Sequence, residues 1–276
     1  MSKVCLVTGA SRGIGRATVE HLSGLGYTVY AGVRESREKN EAAASELRKI
    51  CRVIDLDVTC TQSVDDAVKS ILDSTNRLDA VVNNAGYGLW GAAEEIDIEA
   101  AQRLFDVNFF GCLRVSKAAI PIMRNQGDGV IVQVSSISGR VVGPLYGMYQ
   151  ASKHALEAMS EAMAYELGHF GVRVVLVEPG NVDTNCTVEF APALLEGRSY
   201  YQELMSRLNE ARKGITPKRS TANDVALTIT SAIENRSSPL RLLVGDDAYT
   251  LDAQRRALPD AEFSNWLWKE KLKVEW

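Results

Sequence analysis

Short runs of apolar and β-branched residues alternate along this chain with longer stretches of helical periodicity, and that alternation leaves very few architectures open. Strands are expected at Val4–Thr8, Thr28–Val33, Arg52–Leu56, Ala80–Asn83, Val130–Ser135, Arg173–Glu178 and Leu240–Val244. Helices are expected near residues 14–25, 37–50, 61–75, 99–126, 148–170 and 222–236. Apolar runs without polar alternation belong to strands covered on both faces, and strands separated by helices pair in parallel through crossovers. The expected fold is therefore α/β, a doubly wound seven-stranded parallel sheet. With 276 residues and no repeat, low-complexity tract or Pro/Gly/Ser-rich linker, residues 1–276 read as a single domain.

Two stretches break the rhythm. Residues 185–218 form an insertion between the sixth strand and the next helix, where a short connection is usual. Within it Tyr200, Tyr201, Leu204, Met205 and Leu208 fall at helical spacing, so a small amphipathic helix is expected, either packed on the body or serving as a lid at the carboxyl edge of the sheet. Residues 246–276 carry Leu251, Leu258, Phe263, Trp266, Leu267 and Leu272, an extension of helices that closes the domain or meets another subunit.

Composition narrows the partners. A formal charge of −4 offers no general attraction to nucleic acid. Five cysteines, Cys5, Cys51, Cys60, Cys112 and Cys186, show no C-x-x-C pairing and read as reduced thiols of a cytoplasmic protein. The chain opens directly into a strand, with no signal-peptide pattern, and no apolar run approaches the ~18 residues of a membrane span. His21, His154 and His169 lie on expected helices without metal-ligand spacing, and no metal is expected.

Residues 8–15 read T-G-A-S-R-G-I-G, directly after the first strand and before a helix. Glycines at 9, 13 and 15, with Ser11, Arg12 and Ile14 between them, permit a tight turn that brings backbone N–H groups and a helix N-terminus to a pyrophosphate. An acid at the end of the second strand would accept from a ribose 2′-OH, but the chain has Ala31-Gly32-Val33-Arg34 there, with Glu35 beyond the strand's end. Arg34 and Arg12 offer two guanidinium forks to a 2′-phosphate, which favours NADP(H) over NAD(H); solvated surface charges are the plainer reading of both.

Tyr149 and Lys153 stand one helical turn apart on a common face. A free phenol titrates near ~10, and a neighbouring ammonium lowers that value toward the range that acid/base catalysis uses. Ser136 lies just past the fifth strand, placed to hold a substrate oxygen beside the phenol, whereas Ser135 points to the opposite face. Asn83-Asn84-Ala85-Gly86 ends the fourth strand, and Asn108 falls inside the 99–126 helix, where it is either merely tolerated or holds a water for Lys153.

Together these motifs resemble the short-chain dehydrogenase/reductase family over about residues 3–245, with its hydroxysteroid and retinol dehydrogenase branch closest in the insertion and extension. The resemblance implies a Rossmann-type fold and a tetrad of Asn108, Ser136, Tyr149 and Lys153. It implies that Asp57 meets the adenine, that Asn83, Ala85 and Gly86 contact the adenosine side, and that Lys153 also holds the nicotinamide ribose. Pro179, Gly180, Val182 and Thr184 match the segment at the nicotinamide end, and a homodimer or homotetramer through the 99–126 and 148–170 helices is implied. Tyr87, Leu89, Trp90, Val142, Leu145 and Tyr146 surround the reacting position and suit a lipophilic alcohol or ketone, with Leu145 in contact with substrate. Reduction of a carrier-bound 3-oxoacyl chain and nucleotide sensing without turnover are the rival readings.

Overall fold

In the computed structural model, which describes residues 2–184, 188–214 and 219–272, the strands in chain order are β1 (Val4–Thr8), β2 (Thr28–Val33), β3 (Arg52–Asp55), β4 (Ala80–Asn83), β5 (Gly88–Trp90), β6 (Gly129–Val134), β7 (Val172–Pro179), β8 (Val182–Asp183), β9 (Val188–Phe190), β10 (Ser220–Thr221) and β11 (Arg241–Val244). The helices are α1 (Gly13–Gly24), α2 (Glu41–Leu47), α3 (Thr61–Thr75), α4 (Ile98–Phe105), α5 (Cys112–Gln126), α6 (Gly147–Leu167), α7 (Pro192–Leu195), α8 (Gln202–Gly214), α9 (Ala222–Glu234), α10 (Asp246–Ala257) and α11 (Asp260–Trp266). Seven strands form one sheet in the order β11-β7-β6-β4-β1-β2-β3, and each neighbouring pair is parallel. The chain is a single α/β domain.

Strand alternation sorts the apolar residues onto two faces. Cys5 and Val7 of β1 and Val130, Val132 and Val134 of β6 face a core completed by Val19 and Leu22 of α1 and by Val225, Ile229 and Ile233 of α9. Val4 and Leu6, with Ile131, face the opposite core, completed by Val64, Val68 and Ile71 of α3 and by Val115, Ala119 and Met123 of α5. Covering on both sides explains why these strands lack polar alternation.

The expected boundaries shift at several places. Leu56 has left β3, and its side chain lies where a side chain on Gly32 would otherwise stand. The expected 37–50 helix shortens to α2, because the chain after β2 turns at Glu35, whose φ is +52°, and Asn40 Nδ2 caps that turn by donating to Arg34 O at 2.7 Å. The expected 99–126 helix is continuous but carries a π turn at Asp106–Gly111 between α4 and α5. Such wide turns release a backbone carbonyl and collect at functional sites.

Two small parallel ladders tether the insertion. β8 pairs with β10, joining the described residues that flank it, and β9 pairs with β5. Leu204, Met205 and Leu208 of α8, with Tyr201, pack on Ala92 and Leu145, so the apolar stripe lies on the body. Tyr200 departs from that stripe: it precedes the helix and is 94% exposed. Residues 185–187 with Cys186, residues 215–218 and residues 273–276 of the extension lie outside the described residues. No described helix is long and apolar enough to cross a membrane.

Leu6 is fully buried in β1, so Leu6→Ala should cost ~2–5 kcal/mol of stability, read as a lower urea midpoint with an unchanged slope.

Candidate active site

β1 and β4 are neighbours whose chains leave in opposite directions across the sheet, and the gap that this opens at their carboxyl ends is the ligand position of doubly wound folds. A cleft of about 1020 Å³ lies there. Gly9 and Gly13 have φ of +63° and +55°, which only glycine adopts readily. A side chain on Gly9 would stand 2.8 Å from Ala85 Cα, and one on Gly15 would run into Gly9 O and the Asn84 amide. Thr8 Oγ1 accepts the N–H groups of Asn84 and Ala85, both at 3.0 Å, while Asn84 Nδ2 donates to Thr8 O at 2.9 Å and to Gly9 O at 3.2 Å. The glycine turn and the loop after β4 are thus bonded to each other, leaving a backbone-walled cradle that fits a dinucleotide.

Gly9, Ser11, Arg12, Gly13, Ile14, Arg34, Asp57, Ala85, Gly86, Pro179, Gly180, Val182 and Thr184 all line the cleft. Asp57 Oδ1 accepts from Thr59 N at 2.9 Å and from Thr59 Oγ1 at 2.7 Å, which fixes that carboxylate at the edge. Lys39 and Asn40 join Arg12 and Arg34 at the same end. Their role was hidden because the helix expected over 37–50 begins later, and the turn before it faces the cleft. Glu35 is not among the lining residues.

Two of the residues expected at the cofactor, Asn83 and Gly15, do not line the cleft. Asn83 is 2% exposed, and its Nδ2 donates to Ser116 Oγ at 3.1 Å and Cys112 O at 3.4 Å. Alternation explains this: Val82 faces one core and Val81 the other, so Asn83 shares Val81's side and meets α5, leaving Asn84 at the cleft. Gly15 does not line the cleft either; its lack of a side chain lets α1 close on the glycine turn.

Ser136, Tyr149 and Lys153 line this same cleft. Tyr149 lies in the first turn of α6 and Lys153 one turn on, its Nζ 5.8 Å from the Tyr149 ring centroid. Lys153 is 5% exposed, and its Nζ donates to Val134 O at 2.8 Å, so the ammonium is held by the end of β6. Ser136 Oγ donates to Pro179 O at 3.3 Å and accepts from Ser138 N at 3.1 Å. Ser135 lines the cleft as well, but its hydroxyl is buried near Gly139.

Asn108 lies in the π turn, fully buried, and does not line the cleft. Its Oδ1 accepts from Tyr87 N at 3.1 Å, and its Nδ2 donates to Tyr87 O at 2.9 Å and Ser152 Oγ at 3.2 Å. This amide braces the Tyr87 loop against α6. Leu145, expected at the substrate, has φ of +60° and is buried against Ala92 and Leu208. Its neighbour Tyr146 takes the cleft wall, stacked on Tyr149 with centroids 4.4 Å apart and tilted on Trp90 at 5.0 Å. Val142, by contrast, is exposed.

No group of three or more His, Cys, Asp or Glu side chains among the described residues could hold a metal ion. His21 meets Asn223 Oδ1 at 2.6 Å, His154 meets Gln150 O at 2.9 Å, and His169 packs on Phe170.

Residues 3–194 match the family model described as short chain dehydrogenase. A 3-ketodihydrosphingosine reductase of Bacteroides thetaiotaomicron is 34% identical over 94% of each chain. A short-chain dehydrogenase from Streptomyces avermitilis superposes with a TM-score of 0.78 at 33% identity, over 96% of each chain. A short-chain dehydrogenase from Burkholderia cenocepacia in complex with NADP gives 0.76 at 27% identity, over 96% of this chain and 98% of that one. The chain belongs to the short-chain dehydrogenase family. It is an oxidoreductase of the alcohol dehydrogenase or carbonyl reductase type.

Glu178, the residue before Pro179, is fully buried, with Arg241 Nε at 3.3 Å, Arg140 Nη1 at 3.7 Å and the Glu157 carboxylate nearby. Burial and, next, the Glu157 charge push its carboxyl up to about 8 against the pull of Arg140 and Arg241. Between the unfolded carboxyl's ordinary ~4.3 and that value, the folded chain keeps a proton that the unfolded chain has lost, so stability must fall as pH rises through this window. Glu178→Gln removes that titration, and its melting temperature should drop less between pH 6 and pH 8.5 than that of the wild type, as differential scanning calorimetry would show.

Proposed function

We propose that this chain is an NADP(H)-dependent reductase that interconverts a lipophilic ketone and its secondary alcohol. One observation carries the reading: the cleft that holds Ser136, Tyr149 and Lys153 at one end holds Arg12, Arg34 and Lys39 at the other. A dinucleotide laid along the glycine turn would put its 2′-phosphate among the three cations and its nicotinamide near the phenol. The Arg and Lys side chains, and the absence of an acid among the lining residues at the end of β2, support NADP(H) over NAD(H).

The bound dihydronicotinamide supplies the hydride. The Ser136 hydroxyl holds the substrate oxygen, with its own position set by Pro179 O and Ser138 N. Tyr149 gives its phenolic proton to that oxygen as charge develops there, and in the oxidative direction takes it back. Lys153, pinned by Val134 O, places a positive charge beside the phenol and favours its ionised form once the proton has left. Asn108 acts one step back, holding Tyr87 and Ser152.

The substrate class follows from the walls. Trp90 and Tyr146 continue the Tyr149 ring into an aromatic face, and Val188 of the insertion, paired with Gly88, also lines the cleft. Such a surface suits an apolar chain or ring system better than a sugar. The similarity to a relative named for a 3-keto lipid supports this class over a carrier-bound 3-oxoacyl substrate. The described part of the insertion, through Val188, serves as part of that wall, α10 and α11 close the domain, and the exposed Ile98 and Phe110 support a homo-oligomer contact on the α4–α5 helix.

Tyr149→Phe should lower kcat by ~10²–10⁴ in an NADPH-oxidation assay against a panel of lipophilic ketones, while the NADPH dissociation constant changes less than about twofold. Retained turnover would reject the assignment of the acid. Arg34→Asp should lower the ratio of kcat/KM for NADPH to that for NADH by ~10–100-fold, and an unchanged ratio would remove the phosphate-binding role.

A further inference from the structure

The residues that match the family model end at 194, yet α10 supplies a side chain to the cleft. Asp247, in the first turn of α10, is 6% exposed. Its Oδ2 accepts the backbone N–H of Asn181 at 2.7 Å and Asn181 Nδ2 at 2.9 Å. The surrounding backbone leaves room for this carboxylate. A side chain on Gly180 would collide with it, and one on Gly245, whose φ is +99°, would stand 2.9 Å from its Oδ1. Gly180 N donates in turn to Val244 O at 2.9 Å, so the Pro179–Asn181 turn is held from both ends of the same junction.

An acid in the first turn of a helix often serves only that helix's own dipole. Asp247 is used differently: no side chain caps α10, and Asp247 reaches across to another segment, while the exposed Asp246 stands free to face the helix terminus. The same helix also grips the serine-bearing turn. Asp252 Oδ1 is 3.0 Å from Arg140 Nη2, and Ala248 and Leu251 pack with Ile137 and Val141.

We infer that Asp247 is a positioning residue for the reaction: it holds the Pro179–Asn181 turn in the geometry that receives the nicotinamide end and keeps it in register with Ser136. The inference rests on the dinucleotide reading of the cleft. A turn containing Gly180 has wide backbone freedom, and a buried charge-assisted acceptor on the next N–H removes that freedom before the ligand arrives. Ordering the turn in advance lowers the entropic cost of binding and prevents the small misplacements that slow transfer.

The test compares Asp247→Ala, Asp247→Asn, Asn181→Ala and the control Asp246→Ala by hydrogen exchange of peptides covering residues 178–184, by NADPH titration, and by steady-state kinetics with a lipophilic ketone. Asp247→Ala should accelerate exchange at 178–184 by about tenfold without a general loss of protection, raise the NADPH dissociation constant severalfold and lower kcat by about tenfold. Asp247→Asn keeps one acceptor oxygen and should recover much of each loss, whereas Asn181→Ala should show a smaller change in the same direction and combine with Asp247→Ala less than additively. Asp246→Ala should leave all three readouts unchanged. Exchange at 178–184 within twofold of wild type in Asp247→Ala overturns the inference, as does acceleration spread evenly over the chain. The exchange experiment uses the protein without ligand, so it decides the matter even if no ketone is reduced; an inactive wild type would instead count against the proposed function.

Discussion

The hydroxyl of Thr8 is the contact on which the rest of this molecule depends. It sits at the end of β1, buried, where the chain first runs outward through β2 and β3 and then returns to place β4 on the other side. Loops leaving β1 and β4 diverge at this point, and a gap between them would ordinarily be free to widen. Two backbone N–H groups from the β4 loop converge on the one oxygen, and the Asn84 amide closes the exchange by donating back to the β1 loop. Each of these groups would carry a desolvation penalty if left unpaired, so the two loops are constrained to one separation. That separation is the width of the cleft.

From there each polar group at or beside the cleft is held by a neighbour from another element. Lys153 is tied to the end of β6, Ser136 to the end of β7 and Tyr87 to Asn108 in the π turn. Each anchor comes from a different element, and each is buried or half-buried, so the geometry of the site inherits the rigidity of the sheet edge. The π turn is part of this: widening the helix at Asp106–Gly111 puts Asn108 where its amide can reach both backbone groups of Tyr87.

How much of this was legible in the sequence depends on the range of the interaction involved. Periodicity located all the strands of the main sheet, because strands covered on two faces, β1 and β6 among them, carry runs of apolar residues, and the spacing of Tyr149 and Lys153 along one helix is a local property. The glycine turn was legible for the same reason. Asn83 and Asn84 were not separable, since adjacent asparagines look alike until the alternation of β4 is tied to a particular face. Tyr146 lines the cleft as its position suggested, whereas Leu145, at a positive φ, packs on Ala92 and Leu208 instead. The β5–β9 and β8–β10 ladders and the clamp from Asp247 to Asn181 join segments far apart in sequence, and no local pattern announces such pairings.

The ionic network beneath the site shows why the C-terminal extension cannot be regarded as an appendage. Arg140 follows the serine-bearing turn and meets both Glu178 of β7 and Asp252 of α10, while Arg241 of β11 meets Glu157 and Glu161 of α6 as well as Glu178. Isolated buried ion pairs often stabilise a fold little, because desolvation offsets their attraction. Here the same charges join the Ser136 turn, β7, β11, α6 and α10, and the alternatives they exclude are shifted registers of those segments. A displaced α6 would leave Arg241 facing fewer carboxylates, and a displaced α10 would strip Asn181 and Arg140 of their partners together. The network therefore acts less as a store of stability than as a constraint that couples α6, the Ser136 turn and α10 into one geometry.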